Sequence, residues 1–333
     1  FVHSLSRFMF MHRFFITLLL LITACATPST PVTPTAPASL RGDEVTGRLL
    51  FSRSGGIWLW EGREARQLIA PPATQAVFDP MAERIAYVVP RAGASELLVA
   101  DRTGTTIAQL TRNDPAAPPG SLDRVYAAMW ALYPAWLPDG SGVLAAAQAA
   151  PPAGDPPADA PLAIFRYDLN GQRQPVFADA NGHLGRITVL PTGELIVVRT
   201  PLGSDGQQQL YRIAGGQATP LPGAPAPAYD PALSPDGRWL VFAVGINGGS
   251  DLYALPASGG SAVRLTDLGT ARAPVFSPDG AMLAFLAIPP GGRGFDLYLA
   301  GVTVTDDGLQ IGTPRRISTD FAINADAGLS WAR

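Results

Sequence analysis

From residue 45 onward the apolar positions fall into short runs of strand length, separated by Gly, Pro, Asp, Asn and Ser. The runs come in sets of four, and the sets repeat. The sharpest set spans Tyr229 to Leu268: Pro231 to Gly237, then Arg238 to Ala243, Asp251 to Leu255, and Ala262 to Thr266. The next keeps the same plan, with Pro274 to Gly280, Ala281 to Ala287, Asp296 to Leu299, and Arg315 to Thr319. Three earlier sets have drifted but hold the frame, around Val77–Pro80, Pro134–Gly140 and Ile187–Gly193. Alternation within Arg238-Trp239-Leu240-Val241-Phe242 is weak, as in strands buried on both faces.

Ser234-Pro235-Asp236-Gly237 reads as a tight turn between the first two strands of a set. Proline presets φ at the first corner, Asp suits the second, and Gly takes the left-handed position that follows. Two half sets flank the complete ones. Residues 47–69 supply three strands without a first, and Gly328 to Arg333 supply a first strand with nothing after it. Pairing the two halves makes a sixth unit and removes the exposed sheet edge. The pattern therefore predicts an all-β six-bladed β-propeller of four-stranded antiparallel blades, its ring closed by pairing the N- and C-terminal strands.

The unit, with Leu233 to Thr266 and Phe276 to Tyr298 as its clearest examples, resembles the TolB-like propeller repeat. That resemblance spans essentially residues 45–333 and implies protein or peptide binding at the propeller mouth. TolB proteins carry a small α/β domain before the propeller. Here the first blade begins near residue 46, directly after a Pro-rich stretch, so a form without that domain is expected. Sialidase Asp boxes also use Ser, Asp and Gly, but with a residue between Asp and Gly; Asp236-Gly237 and Asp279-Gly280 are adjacent.

Residues 1–25 read as an export signal. Met11 is the natural start; a short basic head precedes an apolar run from Phe14 to Ala24, which is shorter than the roughly 20 residues of a spanning helix. Ile22-Thr23-Ala24-Cys25 resembles the lipobox of bacterial lipoproteins, with Cys25 as the lipidated residue. Residues 26–44, with Pro at about every third position to Leu40, predict an extended tether of about 3.1 Å per residue. The expected location is the bacterial cell membrane or outer membrane, with the domain facing the periplasm or the exterior. Cys25 is the single cysteine, so no internal disulfide is expected.

Composition narrows the chemistry. The net charge of -3 argues against a nucleic-acid partner. All basic residues are arginine, which removes Schiff-base lysines and P-loops. No Gly-x-Ser-x-Gly elbow occurs, and His183, in what reads as a blade connection, is the lone histidine after the signal. Neither a His/Cys zinc site nor a calcium loop is present, so no metal and no cofactor are expected. The chain reads as a non-catalytic monomer that binds a protein, peptide or glycan at the channel mouth. A carboxylate-based hydrolase or lyase and a purely architectural factor are the alternatives.

Repeat position nominates the mouth residues. Just before the innermost strands stand Tyr133, Arg186, Tyr229, Asp230 and Arg272; the loops joining second and third strands offer Arg91, Asp205, Asn247 and Arg293. Two insertions belong to one unit. Ser121 is placed to cap a short helix within Asn113 to Leu132, whose apolar side is expected to plug or cap the ring. Ala149 to Pro161 is a Pro-rich loop.

Overall fold

The computed structural model describes residues 45–62, 64–203, 207–305 and 308–333. The export signal with Cys25, the 26–44 tether and Asp205 lie outside the described residues.

The chain forms six antiparallel sheets in sequence order. Blade one holds β1 (Arg48–Arg53), β2 (Gly56–Glu61) and β3 (Glu64–Ile69). Blade two holds β4 (Thr74–Phe78), β5 (Arg84–Arg91), β6 (Ala94–Asp101) and β7 (Thr106–Gln109). A short helix, α1 (Leu122–Val125), precedes blade three, with β8 (Ala131–Trp136), β9 (Val143–Gln148), β10 (Leu162–Tyr167) and β11 (Arg173–Phe177). Blade four has β12 (Gly182–Val189), β13 (Leu195–Pro201), β14 (Gln209–Ala214) and β15 (Gln217–Pro220). Blade five has β16 (Ala228–Leu233), β17 (Trp239–Ile246), β18 (Gly249–Pro256) and β19 (Val263–Arg264). Blade six has β20 (Arg272–Phe276), β21 (Met282–Ala287) and a long β22 (Asp296–Thr305). Two short strands, β23 (Gly308–Ile311) and β24 (Arg315–Arg316), pair successive halves of β22.

The final strand, β25 (Leu329–Ala332), pairs antiparallel with β1, matching Leu49 with Trp331 and Phe51 with Leu329. It supplies the missing innermost strand of blade one, and the ring closes as the sequence predicts. The innermost strands β25, β4, β8, β12, β16 and β20 touch their neighbours in that order around a central channel.

The second strands are buried on both faces, which accounts for the weak alternation. In β17, Leu240, Val241, Phe242 and Ala243 are fully buried. Each large apolar side chain so buried contributes about 1.5–3 kcal/mol. The core is a series of layers between blades rather than one centre. Trp60, Phe51, Phe321, Leu297 and Trp331 fill the layer beside the closure.

Two recurring polar devices explain the sequence motif. In the first, Gly237 N–H donates to Ser234 O at 2.8 Å with φ +74° at Gly237, closing the turn. Ser234 Oγ donates to Asp236 Oδ1 (2.5 Å) and accepts from Trp239 N–H (2.9 Å). Ser277, Asp279 and Met282 repeat the arrangement. The Ser234 hydroxyl, helped by Arg238, holds the Asp236 carboxyl at about 2, against a smaller opposing effect of burial.

The second device clasps the outer strand. Asp296 is buried and accepts from Ser318 Oγ (2.9 Å), Arg316 Nη2 (2.6 Å) and Phe321 N–H (2.9 Å). Asp251 does the same with Thr266 Oγ1 (2.7 Å), Arg264 Nη2 (2.7 Å) and Leu268 N–H (2.8 Å). In blade two Glu96 takes the role, accepting from Thr111 Oγ1 and from the backbone of Asn113 and Asp114 (both 2.8 Å). One carboxylate thus fixes the third strand, the fourth strand and the crossing to the next blade.

Ser121 caps α1, its Oγ accepting from Arg124 N–H at 3.2 Å. The expected apolar plug is not there. Leu122 and Val125 are exposed, and the buried residue is Arg124, which donates to the carbonyls of Ala92, Pro115 and Ala117 and pairs with Asp114. The carbonyls of an irregular loop need donors, and one guanidinium supplies several.

Two outcomes follow. Replacing Asp296 by Ala strands Ser318 and the buried N–H of Phe321 and is expected to cost about 3 kcal/mol, read from denaturant unfolding. Asp236 and Asp279 carry folded-state pKa values below those of unfolded carboxyls. The stabilisation from Asp236 is therefore complete above about pH 4 and lost as the pH falls toward 2, and Asp279 adds to it in the same direction. Melting temperature should hold from pH 7 to 5 and drop across that window, less steeply in Asp236→Asn.

Candidate functional site

Every innermost strand is paired on one side only, and its free edge faces the channel. Five of the six deal with this through a β-bulge: the register slips between Thr74 and Val77, Leu132 and Ala135, Leu184 and Ile187, Tyr229 and Ala232, and Arg272 and Val275. Aligning the registers puts Gln75, Tyr133, Gly185, Asp230, Ala273 and Gly328 at one equivalent position in the six blades, with Arg186 one residue further along β12. Five of these are left-handed: Gln75 (φ +53°), Tyr133 (+56°), Asp230 (+54°), Ala273 (+51°) and Gly328 (+75°). A bulge re-aims its side chain, here toward the channel mouth.

The bulge frees a backbone N–H, and a neighbouring blade satisfies it. Tyr133 N–H donates to Gln75 Oε1 (2.7 Å), and Ala273 N–H donates to Asp230 Oδ2 (3.1 Å). Pro134, Pro231 and Pro274 follow the bulge residues of three strands and present no N–H to the channel.

The ring at this level is uneven. Gly185, Ala273 and Gly328 are small, and Arg186, the residue after Gly185, reaches across the channel to Gly328. A Cβ on Gly328 would lie 2.3 Å from Arg186 Nη1, so the arginine occupies the space that glycine leaves. Arg186 Nη2 donates to Asp326 O (2.7 Å), and its Nε pairs with Asp230 Oδ1 (3.1 Å). Arg272 Nε donates to Asp230 Oδ2 (3.0 Å), and its Nη1 pairs with Asp326 Oδ1 (2.8 Å). The guanidinium of Arg186 lies 5.5 Å from the Tyr133 ring centre, and that of Arg272 5.2 Å from Tyr229. Burial works to lower the Arg272 pKa, but Asp230 and then Asp326 more than offset it, so the value is raised and the charge is secure.

Above this network opens a cavity of about 300 Å³, lined by Tyr133, Arg186, Tyr229, Asp230 and Arg272 together with His183, Asp326, Thr200 and Gln208. Below it the channel continues as a chamber of about 380 Å³ walled by Val77, Ile187, Leu233, Val275 and Trp331. Arg186 and Asp230 line both spaces and so form the partition between them.

All five residues nominated as preceding the innermost strands converge on this one cavity. They lie inside strands β8, β12, β16 and β20 rather than before them, because the strands begin earlier than the apolar runs suggest. The loop residues do not join them. Arg91 ends β5 and pairs with Asp114 at 3.5 Å; Asn247 is exposed in the tight turn between β17 and β18; Arg293 is exposed in the loop before β22. None of the three lines the cavity.

Among the cavity residues that the repeat reading does not nominate, two are titratable. His183 belongs to β12, not to a blade connection, and its Nδ1 accepts from Leu162 N–H at 3.2 Å. Asp326 sits in a single 3₁₀ turn before β25. Extending the repeat register two residues ahead of Gly328 would have found it. Among the described residues no group of three or more His, Cys, Asp and Glu side chains could hold a metal ion.

No family model and no curated protein sequence matches the chain. Solved structures do resemble it. TolB from Acinetobacter baumannii superposes with a TM-score of 0.63 at 18% identity, over 88% of this chain and 68% of that one. A putative TolB from Agrobacterium tumefaciens gives 0.56 at 16% identity, over 84% and 90%. A chain of a nidogen/laminin complex gives 0.55 at 13% identity, over 86% and 98%. At these identities the likeness is one of fold: this is a six-bladed β-propeller built like that of TolB.

Gly328→Ala tests the partition. The left-handed φ alone should cost about 1–2 kcal/mol, and displacing Arg186 should add to it. Thermal unfolding should show a loss exceeding that of an Ala substitution at Gly93, which also has positive φ but nothing near its Cβ position.

Proposed function

We propose that this chain is a non-catalytic, lipid-anchored envelope protein that uses the mouth of its propeller to bind a protein, peptide or glycan. The observation that carries the reading is convergence. Two tyrosines, two arginines and a buried aspartate from three neighbouring blades and the one beyond them line one cavity that opens to solvent. Arg and Tyr are the side chains that most often anchor a partner. Both accept contact on flat faces, and here each guanidinium is already set against a ring.

The carboxylates support binding over hydrolysis or elimination. Both oxygens of Asp230 are engaged by arginine, and Oδ2 also accepts from a backbone N–H. A general base needs an oxygen available to a substrate proton. The TolB-like resemblance implies partner binding at the mouth, and one of the similar structures is a nidogen/laminin complex; both support a binding role. In this reading Cys25 carries the lipid, the 26–44 segment spaces the domain from the membrane, and the domain is a monomer facing the periplasm or exterior.

The test is cross-linked capture in the native host, with the full tagged chain as bait. The reading expects Cys25→Ser to lose palmitate labelling and leave the membrane fraction. It expects a small set of captured partners, or a specific glycan, to be lost from a Tyr133→Ala, Tyr229→Ala bait. Identical capture by both baits would remove the mouth from the mechanism.

A further inference from the structure

The charge count at the mouth is uneven in burial. Asp230 is 5% exposed and fixed between two arginines, whereas the Asp326 side chain is 79% exposed and, among the described residues, its ion-pair partner is Arg272. Arg186 and Arg272 therefore share one buried counter-charge, and the second is supplied from the solvent side by a residue on a single 3₁₀ turn. That turn is anchored by its neighbours. Phe321, Ile323 and Ala325 are buried, and Asn324 Oδ1 accepts from Asp326 N–H at 3.1 Å. The carboxylate of Asp326 can leave Arg272 without unfolding anything.

Beside the cavity lies a largely apolar groove of about 330 Å³, lined by Trp130, Leu132, Ala160 and Leu162, with Gln148 and Asp159, hydrogen-bonded to each other, also lining it. His183 and Leu162 line both spaces, so cavity and groove are continuous. With Asp326 turned away, two guanidinium groups face one carboxylate, and that cationic end joined to a largely apolar trough fits a ligand with an anionic terminus and an apolar body. Thr200, Gln208 and the Nε2 side of His183 offer hydrogen bonds along the way, which amide groups would use and an acyl chain would leave unpaired.

We infer that the mouth receives the free C-terminal carboxylate of a peptide on Arg272, that Asp326 is the built-in stand-in it displaces, and that the preceding apolar residues lie in the Trp130–Leu162 groove. This rests on the mouth-binding reading and specifies its ligand. An exposed ion pair is weak enough to be exchanged, and a ligand carboxylate replaces it charge for charge.

The test uses the full chain in detergent and a library of hexapeptides ending in three apolar residues, each made as free acid and as C-terminal amide. Some free acids should bind, with their amides about tenfold weaker or more. Asp326→Asn should tighten the acids by up to about fivefold and leave the amides unchanged. Arg272→Gln should abolish the difference between acid and amide. Acids and amides bound alike would overturn the carboxylate assignment while mouth binding stands. Unchanged or weaker acid binding by Asp326→Asn would overturn the stand-in. No binding to either form by wild type or Asp326→Asn would overturn this inference, and the capture experiment would then decide the broader reading. Arg272→Gln strips a partner from buried Asp230 and can cost stability, so the exposed Asp326→Asn substitution carries the test by itself.

Discussion

A propeller's innermost strands have a partner on one side only, and the channel is lined by the edges that remain. Backbone N–H groups left there must find acceptors or be removed. This chain does both. Prolines at 134, 231 and 274 remove the donor, while Gln75 Oε1 and Asp230 Oδ2 accept from the next blade. The left-handed bulge that makes this possible also turns side chains toward the mouth. The site is therefore a by-product of how the ring satisfies its inner edge, refined by which residue each blade puts at the bulge.

The refinement is asymmetry. A ring of six equal bulges would make a symmetric channel with no preferred direction. Here Ala273 and Gly328 open one side, and Arg186 enters from the other to reach a backbone carbonyl 140 positions away in sequence. The arginine joins blade four to the segment that leads into the closing strand. Asp230 then has two roles that cannot be separated: it caps the Ala273 N–H and it neutralises two guanidinium groups. A buried carboxylate so committed is a fixed part of the wall, and the exposed groups around it are the ones able to meet a ligand.

The fold was legible because its determinants are local and repeated. Ser-Pro-Asp-Gly specifies a turn through three residues, each with its own conformational reason, and the buried second strands announce themselves by losing alternation. The closure was legible as a shortage at one end matched by a surplus at the other. The cavity was half legible: the position of Tyr133, Arg186, Tyr229, Asp230 and Arg272 follows from the repeat frame. What the frame could not supply is which side chains reach. Arg91, Asn247 and Arg293 share the repeat logic, but nothing local says that they stay clear of the cavity. His183 was hidden because β12 begins five residues ahead of its apolar run, and Asp326 because the closing strand was read from its glycine onward. The α1 insertion misled for a related reason. The apolar side of the insertion predicts a plug, yet the loop is irregular, its carbonyls need donors, and Arg124 takes the interior while Leu122 and Val125 stay exposed.

The same distinction separates what holds this molecule together from what it offers a partner. Asp251, Asp296 and Glu96 are buried acids whose oxygens are consumed inside a blade, and Asp236 and Asp279 are consumed within their turns. These acids are structural, their oxygens occupied by donors of their own blade or turn. Asp326 departs from that rule. It is exposed, its contact is to a residue of another segment, and that residue is the one whose remaining surface faces the cavity. An exposed acid that satisfies no buried N–H, placed on an arginine that lines a cavity, is chemistry the ring closure does not require.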